Sequence, residues 1–408
     1  MGFVGERAAV RRLHERFGLG PRPGELNSRF DQVSAALLGN VTPSGPPPPQ
    51  LQPEPKAAKD PEQQTAITVW WLDRMAATDS PLVERMTWFW HGHFATSAQK
   101  VRGAGLMLAQ NETLRRLGLG DFTSLAQAMI VDPAMLIWLD GQKNTAKAAN
   151  ENLGREYMEL FTLGVGQYSE QDVREAARAL TGWKVDRQTM TASVVARQHD
   201  PGSKTVLGTT GPLDAHSLVD LLVSRPASPR FIAQRMWTRF VGRTPPAEDV
   251  LVRLVTAYGP NRDLHALVRA IAAEPVFRDE ASTVVKQPVD WVVGVMRAFK
   301  IRPSELSTAD QKKLLAGLRG MGQVPFLPPS VGGWPSGPAW LTTAAGMSRL
   351  QVARLLTAKV DGFSVSSLAD LLGVDWSDRT RAALSPLERQ PRQLAAVAVC
   401  APEYVVSG

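Results

Sequence analysis

The chain has 408 residues, 44% hydrophobic and 21% charged, with 46 Lys and Arg against 39 Asp and Glu. That mix is globular and excludes a mainly disordered, collagenous or disulfide-stapled protein, and the single cysteine, Cys400, leaves no intrachain disulfide and no cysteine-based metal site. A net charge of +7 is modest for this length. With no long basic block and no zinc-finger or RNA-binding signature, nucleic acid is not the expected partner. No apolar run approaches the roughly 20 residues of a transmembrane helix.

Residues 1–40 read as an N-terminal helical arm. The first residues, Met1-Gly-Phe-Val-Gly-Glu-Arg7, lack a charged region followed by an apolar core, so a cytoplasmic location is the default expectation. Ala9, Val10, Leu13 and Phe17 fall at helical spacing, and the Gly and Pro residues after Phe17 break the helix. A second helix runs through Phe30, Val33, Ala36 and Leu37. Residues 41–62 hold Pro43, Pro46 to Pro49, Pro53, Pro55 and Pro61, and read as an extended linker or loop.

From residue 63 to 408 the pattern is helix after helix, the main domain. Ser80-Pro81 opens one helix and Ser169-Glu-Gln-Asp172 opens another as a capping sequence. Residues 183–207 alternate and are rich in β-branched types, which predicts one small hairpin. A Gly- and Pro-rich loop covers 320–338. The predicted fold is mostly α: a large multi-helix domain with an N-terminal helical arm and one small β-hairpin.

Several segments, in order, resemble one bacterial family, the domain of unknown function 1800. They are Arg12-Leu-His-Glu-Arg-Phe-Gly-Leu-Gly-Pro21, Trp88-Phe-Trp-His-Gly-His-Phe94, and Asn150-Glu-Asn-Leu-Gly-Arg-Glu-Tyr-Met-Glu-Leu-Phe-Thr-Leu-Gly164 with Asp172 and Ala179-Leu-Thr-Gly-Trp183. His199-Asp-Pro-Gly-Ser-Lys204, Lys286-Gln-Pro288 and Met321-Gly-Gln-Val-Pro-Phe-Leu-Pro-Pro-Ser-Val-Gly-Gly-Trp334 complete the set. The resemblance spans nearly the whole chain and implies no established reaction. Many relatives look exported, which stands beside the cytoplasmic default. The family's motif spacing implies that four segments gather around one cleft: His91–His93, Glu151–Glu159, His199–Lys204 and Gln323–Trp334.

The chemistry-bearing residues divide into three groups. On a regular helix at about 100° per residue, Glu151, Asn152, Arg155, Glu156 and Glu159 share an arc of about 140°. Such a face is either a solvated ion-paired surface or a cleft wall whose crowded carboxylates split into an acid and a base. His91 and His93 point about 200° apart on a continuous helix. They converge on a metal only if the chain leaves the helix at Gly92, where His199 would complete a set for a divalent zinc or iron ion. Trp90, Gln323 and Trp334, with His199 and Lys204, are the expected substrate contacts, Trp334 as a stacking surface for a sugar ring.

Three functions follow. The first is a hydrolase acting on a glycan or similar polar polymer, with a glycan or small polar substrate as the expected partner. Here Glu156 or Glu159 is the acid, Asp200 or Glu151 is the base or nucleophile, and His93 and Arg155 tune them. Carboxyl groups about 5–5.5 Å apart would give retention, and roughly 6.5–9.5 Å inversion. The second is a metal-dependent enzyme using His91, His93, His199 and a carboxylate. The third is a non-catalytic binding or assembly protein. The sequence specifies no oligomeric state.

Overall fold

The computed structural model describes residues 5–39, 41–52 and 61–408. The first four residues and Pro53 and Pro55 of the proline-rich stretch therefore lie outside the described residues. Helix α1 (Glu6–Arg16) and α2 (Phe30–Gly39) form the N-terminal pair, and α3 (Pro61–Ala77) leads to α4 (Pro81–His93). Next come α5 (Ala98–Val101), α6 (Ala104–Leu117), α7 (Phe122–Ile130) and α8 (Pro133–Trp138). A short helix, α9 (Asn152–Glu156), is followed by α10 (Glu170–Ala179). After two hairpins the chain continues through α11 (Ala215–Ser224), α12 (Ala227–Phe240), α13 (Glu248–Tyr258) and α14 (Leu264–Ala273). The last third holds α15 (Pro288–Ala298), α16 (Thr308–Gly320), α17 (Thr343–Leu356) and four shorter helices, α18 (Val365–Leu372), α19 (Asp378–Leu384), α20 (Pro391–Ala398) and α21 (Pro402–Val405). The protein is mostly α, as expected.

Of the two caps read from sequence one works as a hydrogen bond, while Ser80 precedes α4 without a side-chain cap bond. Ser169 and Asp172 form a reciprocal capping box at the start of α10, and Pro81 occupies the first turn of α4, where its missing N–H has no helical partner to lose.

The β content is larger than the single expected hairpin. Strand β1 (Trp183–Asp186) pairs antiparallel with β2 (Thr191–Val194), Trp183 opposite Val194. A second hairpin follows at once, β3 (Lys204–Val206) with β4 (Thr209–Gly211). Its two-residue turn is Leu207-Gly208, both at positive φ, the geometry that usually calls for Asn-Gly. Leu207 is held there by partners: its N–H donates to Asp172 Oδ1 at 2.6 Å and its carbonyl accepts from Arg225 at 2.5 Å. The third pair joins β5 (Val284–Val285) to β6 (Val406–Ser407) and brings the chain end back to the body.

Two apolar cores form on either side of α4. One gathers α1, α2, α7 and α10 to α14 with Leu82, Met86, Phe89 and Trp90 of α4. The other gathers α3, α5 and α15 to α21 with Trp88. Helix α4 is therefore buried all round, which is the expected setting for a helix apolar on every face. Its two charged side chains are neutralised in place. Glu84 accepts from Arg74 Nε at 2.7 Å, Arg115 Nε at 2.6 Å and Trp71 Nε1 at 2.9 Å. Arg85 donates to Asp290 at 2.6 Å. No helix among the described residues is long and apolar enough to cross a membrane.

Candidate functional site

Where the two cores meet beside α4, a cleft of about 710 Å³ opens. Trp88, Phe89, Gly92 and His93 of α4 form one wall, the Gly332–Pro338 part of the long loop another, and α12 with the chain just beyond it a third. The volume is in the range of small-molecule sites. Gly333 explains how the loop reaches α4: its φ is +81°, and a Cβ there would lie 2.3 Å from the Gly92 carbonyl oxygen. That approach seats Trp334 on Trp88, the rings stacked with centroids 5.0 Å apart. The Trp334 indole N–H is buried without a hydrogen-bond partner among the described residues.

Three arginines line the third wall. Arg235 and Arg239 sit one helical turn apart on α12, and Arg243 follows four residues later. Arg239 donates to Asp290 at 2.7 Å. Arg235 and Arg243 have no ion pair or hydrogen bond among the described residues. Surrounding protein lowers the Arg235 pKa by desolvation. The acid in the lining, Asp279, already accepts the Ala281 N–H at 2.8 Å.

The floor of the cleft is pinned from behind by the N-terminal helix. Arg12 donates to the carbonyls of Phe277 at 2.6 Å and Asp279 at 2.8 Å. Arg16 donates to Val241 O and Ser407 O and to Ser282 Oγ. Glu15 accepts from Lys286 Nζ at 2.6 Å, and Lys286 also lies 3.6 Å above the Tyr404 ring. The Arg12–Pro21 and Lys286–Pro288 motifs are two sides of one buried polar joint. Burial, partly countered by Glu15, lowers Lys286 to about 8.

The two α4 histidines face opposite cores. The helix continues through Gly92 to His93, so the break that would have let both meet one metal does not occur. His91 Nε2 accepts the Phe326 N–H at 3.0 Å, and its ring sits among Trp71, Trp88, Phe326 and Trp334. His93 Nε2 donates to the Phe161 carbonyl at 3.0 Å, which leaves Nδ1 as a buried acceptor with no partner among the described residues. Desolvation lowers both imidazoles to about 3, so both are neutral. His199 lies elsewhere, its Nδ1 donating to Thr181 O at 3.0 Å. Among the described residues no three His, Cys, Asp or Glu side chains are grouped so as to hold a metal ion.

The remaining expected residues are distributed as follows. Trp90 is buried in the first core and donates to Gly118 O at 2.7 Å. Gln323 is also buried. Its Oε1 accepts the Val289 N–H at 3.0 Å and its amide donates to Gln287 at 2.9 Å, so it positions a cleft residue from outside the cleft. Glu151, Arg155, Glu156 and Glu159 are half-buried on the other side of the Asn150–Leu163 segment. Arg155 bridges Glu151 at 3.0 Å and Glu170 at 2.6 Å, and Glu159 accepts from the Tyr168 hydroxyl. Asp200 pairs with Arg178 at 2.8 Å, which lowers its pKa, and Lys204 donates to the Asp200 carbonyl at 2.5 Å.

The structure thus joins His91–His93 to the 323–334 loop, and it sets the Glu151–Glu159 face and the His199–Lys204 turn on α10, outside the cleft lining. The segment that carries the acids also departs from a regular helix. After Glu156 it widens to a π-helical stretch, Tyr157–Thr162, with Leu163 N–H donating to Met158 O. Burial and then Glu159 raise the Glu156 pKa.

The arginines were missed as site residues, although Arg235, Arg239 and Arg243 recur at four-residue spacing, which places side chains on one helical face. No curated protein and no solved structure gives a match. A family model described as "Protein of unknown function (DUF1800)" matches residues 12–406, and the chain belongs to that family.

Proposed function

We propose that the protein binds a ring-bearing polar ligand, a glycan segment or a small molecule of similar chemistry, in the cleft between α4, α12 and the 332–338 loop. The observation that carries this reading is the Trp88–Trp334 stack in the cleft wall, whose Trp334 N–H has no partner among the described residues. Indole faces bury the apolar face of a ring, and a free N–H takes a ligand oxygen. Neutral His93 lines the cleft with a buried Nδ1 acceptor that has no partner among the described residues and suits a hydroxyl donor. Calorimetric titration with a panel of neutral and acidic oligosaccharides tests it. Trp334→Ala should weaken binding at least about tenfold while circular dichroism stays unchanged. Equal affinity in the variant would remove the cleft from the binding role.

A second reading is hydrolysis of a glycan by the acids of the Asn150–Leu163 segment. Two observations favour it: the raised Glu156 pKa and the π-helical stretch that begins one residue later. Such stretches are often found at functional sites, and a carboxyl whose pKa is raised by burial and a second carboxyl is suited to act as an acid. Glu156→Gln should then abolish release of reducing ends without unfolding the chain. Unchanged turnover would take Glu156 out of the mechanism.

A further inference from the structure

We propose that the ligand of this cleft is an acidic saccharide, a sugar ring carrying a carboxylate or phosphate, and that Arg235 and Arg243 select it. The inference rests on the cleft-binding reading above. Several other arginines of this protein are matched, the buried ones above all. Arg74 and Arg115 share Glu84, Arg85 and Arg239 share Asp290, and Arg16 is enclosed by backbone carbonyls. On the surface, Arg155, Arg178, Arg230 and Arg253 each pair with acids. Arg235 and Arg243 are unpaired among the described residues and line the same cavity, so two guanidinium groups converge where an anionic ligand would meet both.

The local charge agrees. Of the three cations in the lining, Asp290 neutralises one, and Asp279 is engaged by its own loop. Two forks of N–H donors remain, suited to the planar or tetrahedral oxygens of carboxylate and phosphate. Arg235 and Arg239 are separated by a rise of about 6 Å, so an anion near Arg235 stays within reach of the spare donors of Arg239. The aromatic wall supplies the ring contact and His93 Nδ1 an acceptor for a hydroxyl, so each part of an acidic sugar has a counterpart. Nucleic acid fits less well: tracking its backbone takes a groove with several free cations, and here two lie in one cavity.

The experiment uses the full chain and calorimetry with four probes: a neutral oligoglucoside, an oligouronate of equal length, a hexose phosphate and a single-stranded oligonucleotide. Expected is at least about tenfold tighter binding of one acidic saccharide than of the neutral one, with that advantage shrinking as salt is raised. The Arg235→Gln/Arg243→Gln double variant should lose the advantage, its affinities for the acidic and the neutral saccharide falling within about twofold of each other. The uronate and phosphate arms tell which anion is selected. Equal affinity for neutral and acidic sugars, or a double variant that keeps the preference, overturns the inference and leaves the cleft reading standing. Tighter binding of the oligonucleotide overturns it in favour of a nucleic-acid ligand. Binding of no saccharide removes both.

Discussion

Around Arg155 and Arg178 the charges lie towards solvent and pair with one another, whereas around Glu84 and Asp290 they are buried and locked, and at the cleft two arginines have no partner among the described residues. All three places are rich in Arg and acids, and their chemistry differs because their surroundings differ. Exposed pairs are screened by water and fall to a small net value. Buried pairs must stay matched, because removing one partner strands the other. Cations that reach the solvent of a cleft and are not matched are the ones available to a ligand. Composition alone cannot separate these cases.

The largest effect should come from the buried group. Glu84→Ala leaves Arg74 and Arg115 without their carboxylate and Trp71 Nε1 without its acceptor. Denaturant unfolding should show a loss of about 3–5 kcal/mol. A loss below about 1 kcal/mol would mean that water reaches these arginines and the contrast with the surface is false.

The acid dependence of stability sharpens the same contrast. His91 and His93 titrate near 3 in the fold against an ordinary 6.5. Between those values the unfolded chain takes up both protons and the folded chain does not, so stability falls as pH falls. Asp132, raised to about 6 by burial, has the opposite sign: it binds its proton first in the folded state, between about pH 6 and 3.8. His91→Gln should therefore make stability less steep between pH 6 and 4, by about 1 kcal/mol per pH unit relative to the unaltered chain. Parallel profiles would show that His91 is solvated.

Gly333→Ala tests the wall of the cleft. The added methyl meets the Gly92 carbonyl and the residue is held at positive φ, so the loop must shift and carry Trp334 off Trp88. Ligand affinity should fall about as far as in Trp334→Ala, while unfolding stability changes by less than about 3 kcal/mol. Unaltered affinity would separate the loop from binding. The smallest effect belongs to the surface. Arg155→Ala should change stability by less than about 1 kcal/mol, and a larger loss would make the Glu151–Glu159 face structural.

Much of the fold was legible because its signals are local. Ser169 and Asp172 announce a capping box three residues apart, and Pro81 announces a helix start. The second hairpin was not, because Leu207 fills a turn position that normally asks for Asn, and its stabilising partners Asp172 and Arg225 are distant in sequence. The β5–β6 pair is two residues on each side, too short for alternation to register. At the site, His93 and Trp334 were singled out from the sequence and meet at the cleft. The angular placement of Glu159 assumed a regular helix, and the π-helical stretch after Glu156 alters it. Arg235 and Arg243 carry only their four-residue spacing with Arg239 as a local mark, and what distinguishes them, the absence of a partner among the described residues, is a property of the folded chain.

The most direct measurement is a crystal structure of the protein soaked with an acidic oligosaccharide. Ligand density against the Trp334 face, with its anionic group within hydrogen-bond reach of Arg235 or Arg243, is the predicted result. Density seated instead on the Glu151–Glu159 face or at the His199–Lys204 turn, with the cleft empty, would contradict the account.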